Sequence, residues 1–281
     1  MAASASKIQI REKEFALVGI FLLAVSVLAS LFSSGIFQND LGQIDWISLP
    51  LVAFPILSGV ILMALASQQP KSKMSRIRDP IRLASLCFSL MILGISTALF
   101  VGTLESIDWN FTHLNQYELE FKYTWMESLG ISWHVGMDAL SFSMVWMTTL
   151  IVPITMITTW EESDGWYYHP LLLVMEGALI GVFVALDLFM FYIFWELTLI
   201  PMFFLILKWG GADRRYAAQK FFIYTFTASV IMLLGIITLY FMQDPSQVLI
   251  QQGVLTGRTF DMTELTNQAQ VATASGSIWL G

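Results

Sequence analysis

Charged side chains are scarce in this sequence. Asp, Glu, Lys and Arg together make up 12% of the 281 residues, whereas 56% are hydrophobic, and the mean hydropathy is +0.68. Soluble domains usually carry about 25% charged residues, so the composition excludes an ordinary soluble domain. The long apolar runs that accompany this scarcity predict an all-α protein that crosses a membrane several times.

Cysteine and histidine are nearly absent as well. The one cysteine, Cys87, sits in an apolar run, which excludes a disulfide framework and any cysteine-ligated iron–sulfur cluster within this chain. We interpret it as a packing residue. The three histidines, His113, His134 and His169, fall in loops or at the ends of apolar runs and lack paired spacing inside the membrane. We therefore expect no cofactor and no metal in this chain, and without a basic, aromatic surface no nucleic-acid partner.

Seven apolar runs predict transmembrane helices. The stretch 171–207 is too long for one crossing of a hydrocarbon core of about 30 Å at about 1.5 Å per residue, so we predict two crossings that turn at Asp187. The transmembrane domain is predicted over 15–242, after a polar tail at 1–14 and before a polar outer segment at 243–281. The predicted spans are 15–37, 47–66, 82–104, 137–159, 170–186, 188–208 and 214–242.

Lysine and arginine are distributed unequally between the two sides of these spans. Eleven fall in the N-terminal tail and the connections on its side, whereas Lys122 and Arg258 alone fall on the other side. Because basic loops stay inside, this asymmetry predicts an inner N-terminus and an outer C-terminus. The longest connection, 105–135, then lies outside, and we interpret it as a solvated connector.

One acid falls near the middle of a predicted span. Glu196 follows Asp187 by nine residues, which at about 1.5 Å per residue places it about 13 Å into the helix. A carboxylate there costs about 2.5–3.5 kcal/mol, and such residues are usually functional. We favour a proton relay, with a static ion pair or helix–helix hydrogen bond as the alternative. Tyr192, four residues earlier, shares its face.

Further polar residues are candidates for the same pathway. Lys220 and Tyr224 form a polar stripe on the last span, and we favour a functional role for Lys220 over snorkelling towards water. Glu176 either snorkels or contributes to a proton access path. Asp138 is predicted to cap the N-terminus of its helix. The glycines at 177 and 181 are predicted to allow close approach of a neighbouring helix.

Three motifs carry a resemblance to a known family. The motifs are FWELTLIPM, then WGG followed by RYAAQKFFIYT, and, ahead of both in the chain, GMDALS at 136–141. They resemble the antiporter-like membrane subunit of respiratory complex I, NADH:quinone oxidoreductase, of the chain M or mitochondrial NADH dehydrogenase subunit 4 type. The resemblance implies a proton-translocating subunit, with redox chemistry in other subunits. It also implies that Glu196 pairs with a lysine on a helix after the matched region, and that Lys220 is the lysine of the second motif.

The sequence also departs from that family. About seven further helices follow in typical members, whose first helix matches 47–66, so the run 15–37 is additional. We expect partners among other membrane-arm subunits, and a chain that carries the missing helices unless this is a fragment. A subunit of a multi-subunit cation/proton antiporter and a structural membrane scaffold remain alternatives. The expected location is a bacterial or archaeal cell membrane, or an organelle inner membrane.

Overall fold

The computed structural model describes residues 48–67, 74–103, 117–160, 167–243 and 258–267. The predicted first span, 15–37, lies outside these residues. Helices dominate the described part of the chain, which confirms the predicted all-α membrane fold. In chain order the elements are α1 (Ser48–Ser67), α2 (Met74–Gly102), β1 (Glu118–Met126), β2 (Ile131–Met137), α3 (Ala139–Thr158), α4 (Tyr168–Val184), α5 (Leu188–Trp209) and α6 (Arg214–Met242).

Six of the predicted spans correspond to helices. Their ends agree within two residues except at α2, which begins eight residues before the predicted 82, because the polar turns ahead of the apolar run are also helical. Two helices, α1 and the 17-residue α4, contribute shorter apolar stretches, Pro50–Leu65 and Tyr168–Val184. Four segments are long and apolar enough to cross a membrane: Pro80–Gly102, Ala139–Thr158, Leu188–Trp209 and Arg214–Met242.

The chain turns between α4 and α5 at Asp187, as predicted. One carboxylate oxygen of Asp187 accepts hydrogen bonds from the backbone N–H groups of Phe189, at 2.9 Å, and Met190, at 3.2 Å. These are N–H groups of the first turn, which have no partner inside the helix. Asp187 is therefore the N-cap of α5.

Residues 117–135 are not a solvated connector, so that prediction is wrong. β1 and β2 form an antiparallel hairpin, joined by a turn in which Gly130 adopts a φ of 66°. Almost every residue of β2 is buried, and Val135 has no exposed surface. The hairpin is stable because its second strand is covered, and not because its sequence is unusually apolar.

A distant segment, 258–262, completes this small β layer. The Phe260 carbonyl accepts from the Leu188 N–H at 2.9 Å, and the Met262 N–H donates to the Leu186 carbonyl at 2.8 Å. A Cβ at Gly130 would collide with the Arg258 carbonyl. Gln243, just after α6, donates to the Thr259 carbonyl at 2.7 Å and accepts from its N–H at 2.8 Å. We call β1, β2, the turn 185–188 and the segment 258–267 the β cap.

The chain divides into two compact units. The first comprises Met1–Ser106 and Phe142–Gly177, and the second comprises Ile107–Ser141 and Ala178–Gly281. The β cap, α5 and α6 all belong to the second unit.

The predicted close approaches at the two glycines of α4 are confirmed. In the first unit, a Cβ at Gly177 would lie 2.6 Å from a side-chain carbon of Ile56 and 2.8 Å from the Val52 carbonyl oxygen. In the second unit, a Cβ at Gly181 would lie 2.5 Å from the Phe194 ring. Gly177 thus allows close approach of α1, and Gly181 allows close approach of α5.

Substitution of Gly177 tests the first of these contacts. We expect Gly177→Ala to lower the free energy of unfolding by about 1–3 kcal/mol, because the added methyl group overpacks the contact with α1. Gly94→Ala in α2 is the matched control, since a Cβ there meets nothing within 4 Å and alanine favours the helix by up to about 1 kcal/mol. Thermal unfolding of the detergent-solubilised chain measures both. Equal stabilities of the two variants would contradict the close approach.

Candidate functional site

Glu196 lies in α5, where this helix packs along α6. Its side chain is partly buried, and its Oε1 atom is buried without a hydrogen-bond partner among the described residues. The Tyr192 hydroxyl lies beside both the Glu196 carboxyl and the Ser229 hydroxyl of α6. The sequence pattern predicted that Tyr192 and Glu196 share a face, whereas Ser229 was not anticipated.

This arrangement suits a group that gains and loses a proton. A buried carboxyl oxygen without a donor is costly when the acid is ionised. A tyrosine hydroxyl can both donate and accept, so Tyr192 can donate to the Glu196 carboxylate or accept from a protonated carboxyl. No lysine or arginine in the described part of the chain forms an ion pair with Glu196. A permanent ion pair for this acid must therefore come from a cation elsewhere.

Lys220 and Tyr224 lie on a different face of α6. Ala218, Ser229 and Ile236 are its buried residues, whereas Lys220 is exposed and 78% of Tyr224 is exposed. Lys220 and Ser229 are nine residues apart, about two and a half turns, and so point in opposite directions. The structure therefore does not bring Lys220 or Tyr224 to Glu196.

The exposed face of α6 carries a shallow groove. The Lys220 ammonium lies 5.6 Å from the centre of the Tyr216 ring, within the range of a cation–π contact. The groove encloses about 590 Å³, and its lining is polar at one end and apolar at the other. Its lining residues are Tyr216, Gln219, Lys220, Ile223, Tyr224, Thr227, Ala228 and Ile231.

Glu176, in the first unit, is completely buried, with 0% of its surface exposed. Its Oε1 atom accepts a hydrogen bond from the Ser89 hydroxyl at 3.2 Å, and its Oε2 atom is buried without a partner among the described residues. Complete burial excludes the snorkelling alternative. A role for Glu176 in a proton access path stays a prediction.

Buried serines of α2 accompany Glu176. Ser85, Ser89 and Ser96 lie on one face of the helix, and Ser96 shares a hydrogen bond of 2.7 Å with the Thr149 hydroxyl of α3. Sequence reasoning missed this polar face, although the spacing of four and then seven residues was visible. Small polar residues at such spacing are typical of packed membrane helices.

His169 lies on the same face of α4 as Glu176, two turns earlier. It is buried, and its Nε2 atom lies 3.2 Å from the Met156 carbonyl oxygen of α3. Its position near the end of a span was predicted, but its burial was not. The spacing of seven residues between His169 and Glu176 was the signal available in the sequence.

Two aspartates organise the helix starts near the β cap. Asp138 accepts a hydrogen bond from the Ser141 N–H at 2.7 Å, which confirms the predicted cap of α3. Asp187 caps α5 with one oxygen, and with the other accepts from the Ser132 N–H, at 2.9 Å, and the Ser132 hydroxyl, at 3.2 Å. Burial raises the pKa of Asp187, although these hydrogen bonds oppose the rise.

Comparison with known proteins gives consistent similarities. Residues 185–274 match the family described as NADH:quinone oxidoreductase/Mrp antiporter, TM. The chain is 40% identical over 150 residues to the F(420)H(2) dehydrogenase subunit M of Methanosarcina mazei, a match that covers 52% of this chain and 28% of that protein. It is 30% identical over 234 residues to NAD(P)H-quinone oxidoreductase chain 4 2 of a Synechococcus strain, covering 82% and 40%.

Solved structures show the same fold. One chain of respiratory complex I from Thermus thermophilus matches with a TM-score of 0.59 and 23% identity, over 79% of this chain and 39% of that chain. The present chain thus spans less than half the length of the relatives that it matches.

The double role of Asp187 is testable with a matched control. We expect Asp187→Ala to lower the free energy of unfolding by about 1–3 kcal/mol, because it leaves buried N–H groups of α5 and β2 without an acceptor. Asp213 stands at the corresponding position before α6 but makes no capping hydrogen bond, so Asp213→Ala should change stability by less than about 0.5 kcal/mol. Equilibrium unfolding in detergent measures both values. Similar losses in both variants would show that the Asp187 hydrogen bonds contribute little.

Proposed function

We propose that this chain is part of a proton-translocating membrane subunit, because its residues 185–274 match the family of NADH:quinone oxidoreductase and Mrp antiporter transmembrane domains. The parent assembly is a complex I type oxidoreductase that couples quinone reduction by NADH or a related donor to proton pumping. The resemblance predicted from the three motifs is confirmed by this match. The redox chemistry belongs to other subunits, and this chain contributes to the path of the proton.

The observation that carries the proposal is the environment of Glu196. This acid lies within an apolar helix, with one oxygen buried and unpaired among the described residues and with the Tyr192 hydroxyl beside it. Its charge is therefore poorly compensated by its own unit, and its protonation responds to any cation that approaches. A group with these properties can accept a proton and pass it on when that cation moves.

The partners follow from the exposed face of α6. Lys220 and the groove around it would meet lipid if nothing covered them, and a lysine in contact with hydrocarbon is costly. The matched relatives are more than twice as long as the matched part. We therefore propose that further helices, in the same or a second polypeptide, cover this face, and that other membrane-arm subunits complete the assembly. In this arrangement Lys220 joins the proton path through those helices.

A cation/proton antiporter is the second candidate, since the matched family also takes in Mrp antiporters. The observations at Glu196 fit either assembly, because both move protons through intramembrane acids. The motifs FWELTLIP and RYAAQKFFIYT favour the complex I type. A purely structural scaffold would require Glu196 and Lys220 to be dispensable.

The orientation in the membrane is testable with reporter fusions. The lysine and arginine asymmetry predicts that a reporter at Met1 reads inside and a reporter after Gly281 reads outside. A fusion after Gly211, between α5 and α6, provides an internal reference and should read inside. Activity of a compartment-specific enzyme reporter in whole cells measures each position. Reporters at Met1 and Gly281 that read the same side would mean that the number of spans is even.

Substitution of Glu196 tests the relay. We expect Glu196→Gln to reduce proton uptake into vesicles by about 10²-fold, the usual contribution of a positioned proton-transfer group, because glutamine keeps the shape but cannot titrate. Glu196→Asp should retain part of the uptake, since it is still ionisable. The measurement uses the assembled complex, driven by electron transfer, with subunit content checked on a gel.

Glu127→Gln is the matched control, because Glu127 is an exposed acid in the turn of the hairpin. It should leave proton uptake unchanged. Normal pumping by Glu196→Gln would exclude the relay. Loss of assembly in that variant would instead support the static ion pair, because a partner cation would then remain buried and unpaired.

A further inference from the structure

A cluster of five ionisable side chains lies in the β cap, away from Glu196 and Glu176. His134 of β2 is 1% exposed, and both of its ring nitrogens face carboxylate oxygens. Nδ1 lies 2.8 Å from the Asp261 Oδ2 atom, and Nε2 lies 2.7 Å from the Glu120 Oε1 atom. The Lys122 ammonium lies 2.6 Å from the same Asp261 oxygen and 2.9 Å from Glu264 Oε1.

The geometry fixes how many protons this cluster holds. An ionised carboxylate only accepts hydrogen bonds, and a neutral imidazole donates from just one nitrogen. If His134 were neutral and both Glu120 and Asp261 were ionised, only one of the two short contacts could be a hydrogen bond. The cluster therefore holds one proton more than that state. That proton resides either on the imidazole or on one of the carboxyl groups.

The surroundings assign the extra proton to the imidazole. Burial alone would favour neutral forms of both His134 and Asp261. Hydrogen bonds from His134 and Lys122 outweigh that effect at Asp261 and hold its pKa well below the ordinary value. At His134, burial is likewise outweighed by Asp261 and Glu120, which raise the pKa of the imidazole. Asp261 is thus ionised, and His134 is an imidazolium that donates from both nitrogens.

The backbone supports the same arrangement. β1 contains a register irregularity between Glu118 and Phe121, and within it Leu119 adopts a φ of 54°. This conformation is costly for a residue other than glycine and persists only where the surroundings enforce it. Bulges of this kind re-aim neighbouring side chains. Here Glu120 lies within the bulge, next to Leu119, and reaches His134.

We propose that His134 is a proton-binding site of the β cap that exchanges protons with the aqueous phase through Glu120. When the proton is bound, the contact between His134 and Asp261 holds the segment 258–267 on the hairpin. The Glu120 side chain is 46% exposed and forms the contact with water, whereas the Asp261 side chain is 1% exposed. The ligand is a proton and not a metal ion, because the two ring nitrogens point to separate carboxylates. The site does not depend on proton translocation by Glu196.

The other charged groups near this site have partners of their own. Asp187 accepts its hydrogen bonds from Ser132 and from α5. The Arg258 guanidinium lies over the Phe241 ring. Burial raises the pKa of Tyr117, and the nearby acids add to this, so its phenol stays neutral. Besides the members of the cluster, Tyr117 interacts electrostatically with Glu120 and Asp261, and also with Asp138.

The direction of the pH effect follows from the raised pKa of His134. When the segment opens, His134 returns to an ordinary pKa of about 6.5. The stabilisation of the closed segment by protonated His134 is therefore complete below about pH 6.5, weakens as the pH rises towards the folded-state pKa, and is lost above it. Within the weakening range, protection of the segment should fall by about tenfold per pH unit.

The experiment uses the full chain in lipid nanodiscs. Hydrogen exchange of the segment 258–267 is followed by mass spectrometry over a pH series. At each pH, the protection of this segment in the wild-type chain is divided by its protection in His134→Gln. We expect this ratio to fall with rising pH as described. Lys122→Gln is the matched control: it removes the other cation beside Asp261, so overall protection drops while the pH dependence persists.

Nitrogen NMR of the ¹⁵N-histidine-labelled wild-type chain gives an independent reading that requires no variant to fold. Both ring nitrogens of His134 should carry protons at pH 6.5, and one should lose its proton at higher pH. A His134 ring with a single protonated nitrogen at pH 6.5 would overturn the proposal. So would a protection ratio that is the same at every pH, or a pH dependence that disappears in Lys122→Gln.

Discussion

The second unit depends on one buried carboxylate. Asp187 accepts hydrogen bonds from the first turn of α5 with one oxygen and from Ser132 of β2 with the other. Two apolar helices that reverse direction within three residues expose N–H groups that lipid cannot satisfy. Asp187 satisfies them and at the same time attaches the hairpin to the turn. The position of Glu196, nine residues further along α5, follows from where this cap starts the helix.

Both membrane acids described here are compensated incompletely within their own units. Glu176 has one donor, the Ser89 hydroxyl, and Glu196 has a hydroxyl neighbour but no cation among the described residues. Hydroxyl groups adapt to either protonation state because they both donate and accept. In the proposed relay, this lets the protonation of Glu196 follow a charge elsewhere, whereas a rigid ion pair would hold its charge constant.

The sequence predicted the helices well because each long apolar run has only one way to satisfy its backbone in lipid. The turn at Asp187, the cap by Asp138 and the close approaches at the glycines of α4 were also predicted correctly, since turns, capping and close packing are local properties. The β hairpin was missed because its second strand is covered by residues more than a hundred positions away, such as Phe260. For the same reason the sequence could not pair His134 with Asp261. The direction in which Lys220 points was visible only once the buried face of α6 was known.

The clasp between Gln243 and Thr259 has a consequence for how this protein tolerates change. The side-chain amide of Gln243 mimics a strand partner and ties the end of α6 to the start of the distant segment. The entropy cost of joining two fixed points of a chain grows only with the logarithm of the chain length between them. Doubling that length costs about 0.6 kcal/mol. Insertions between residues 244 and 257 are thus inexpensive as long as both ends of the clasp are kept.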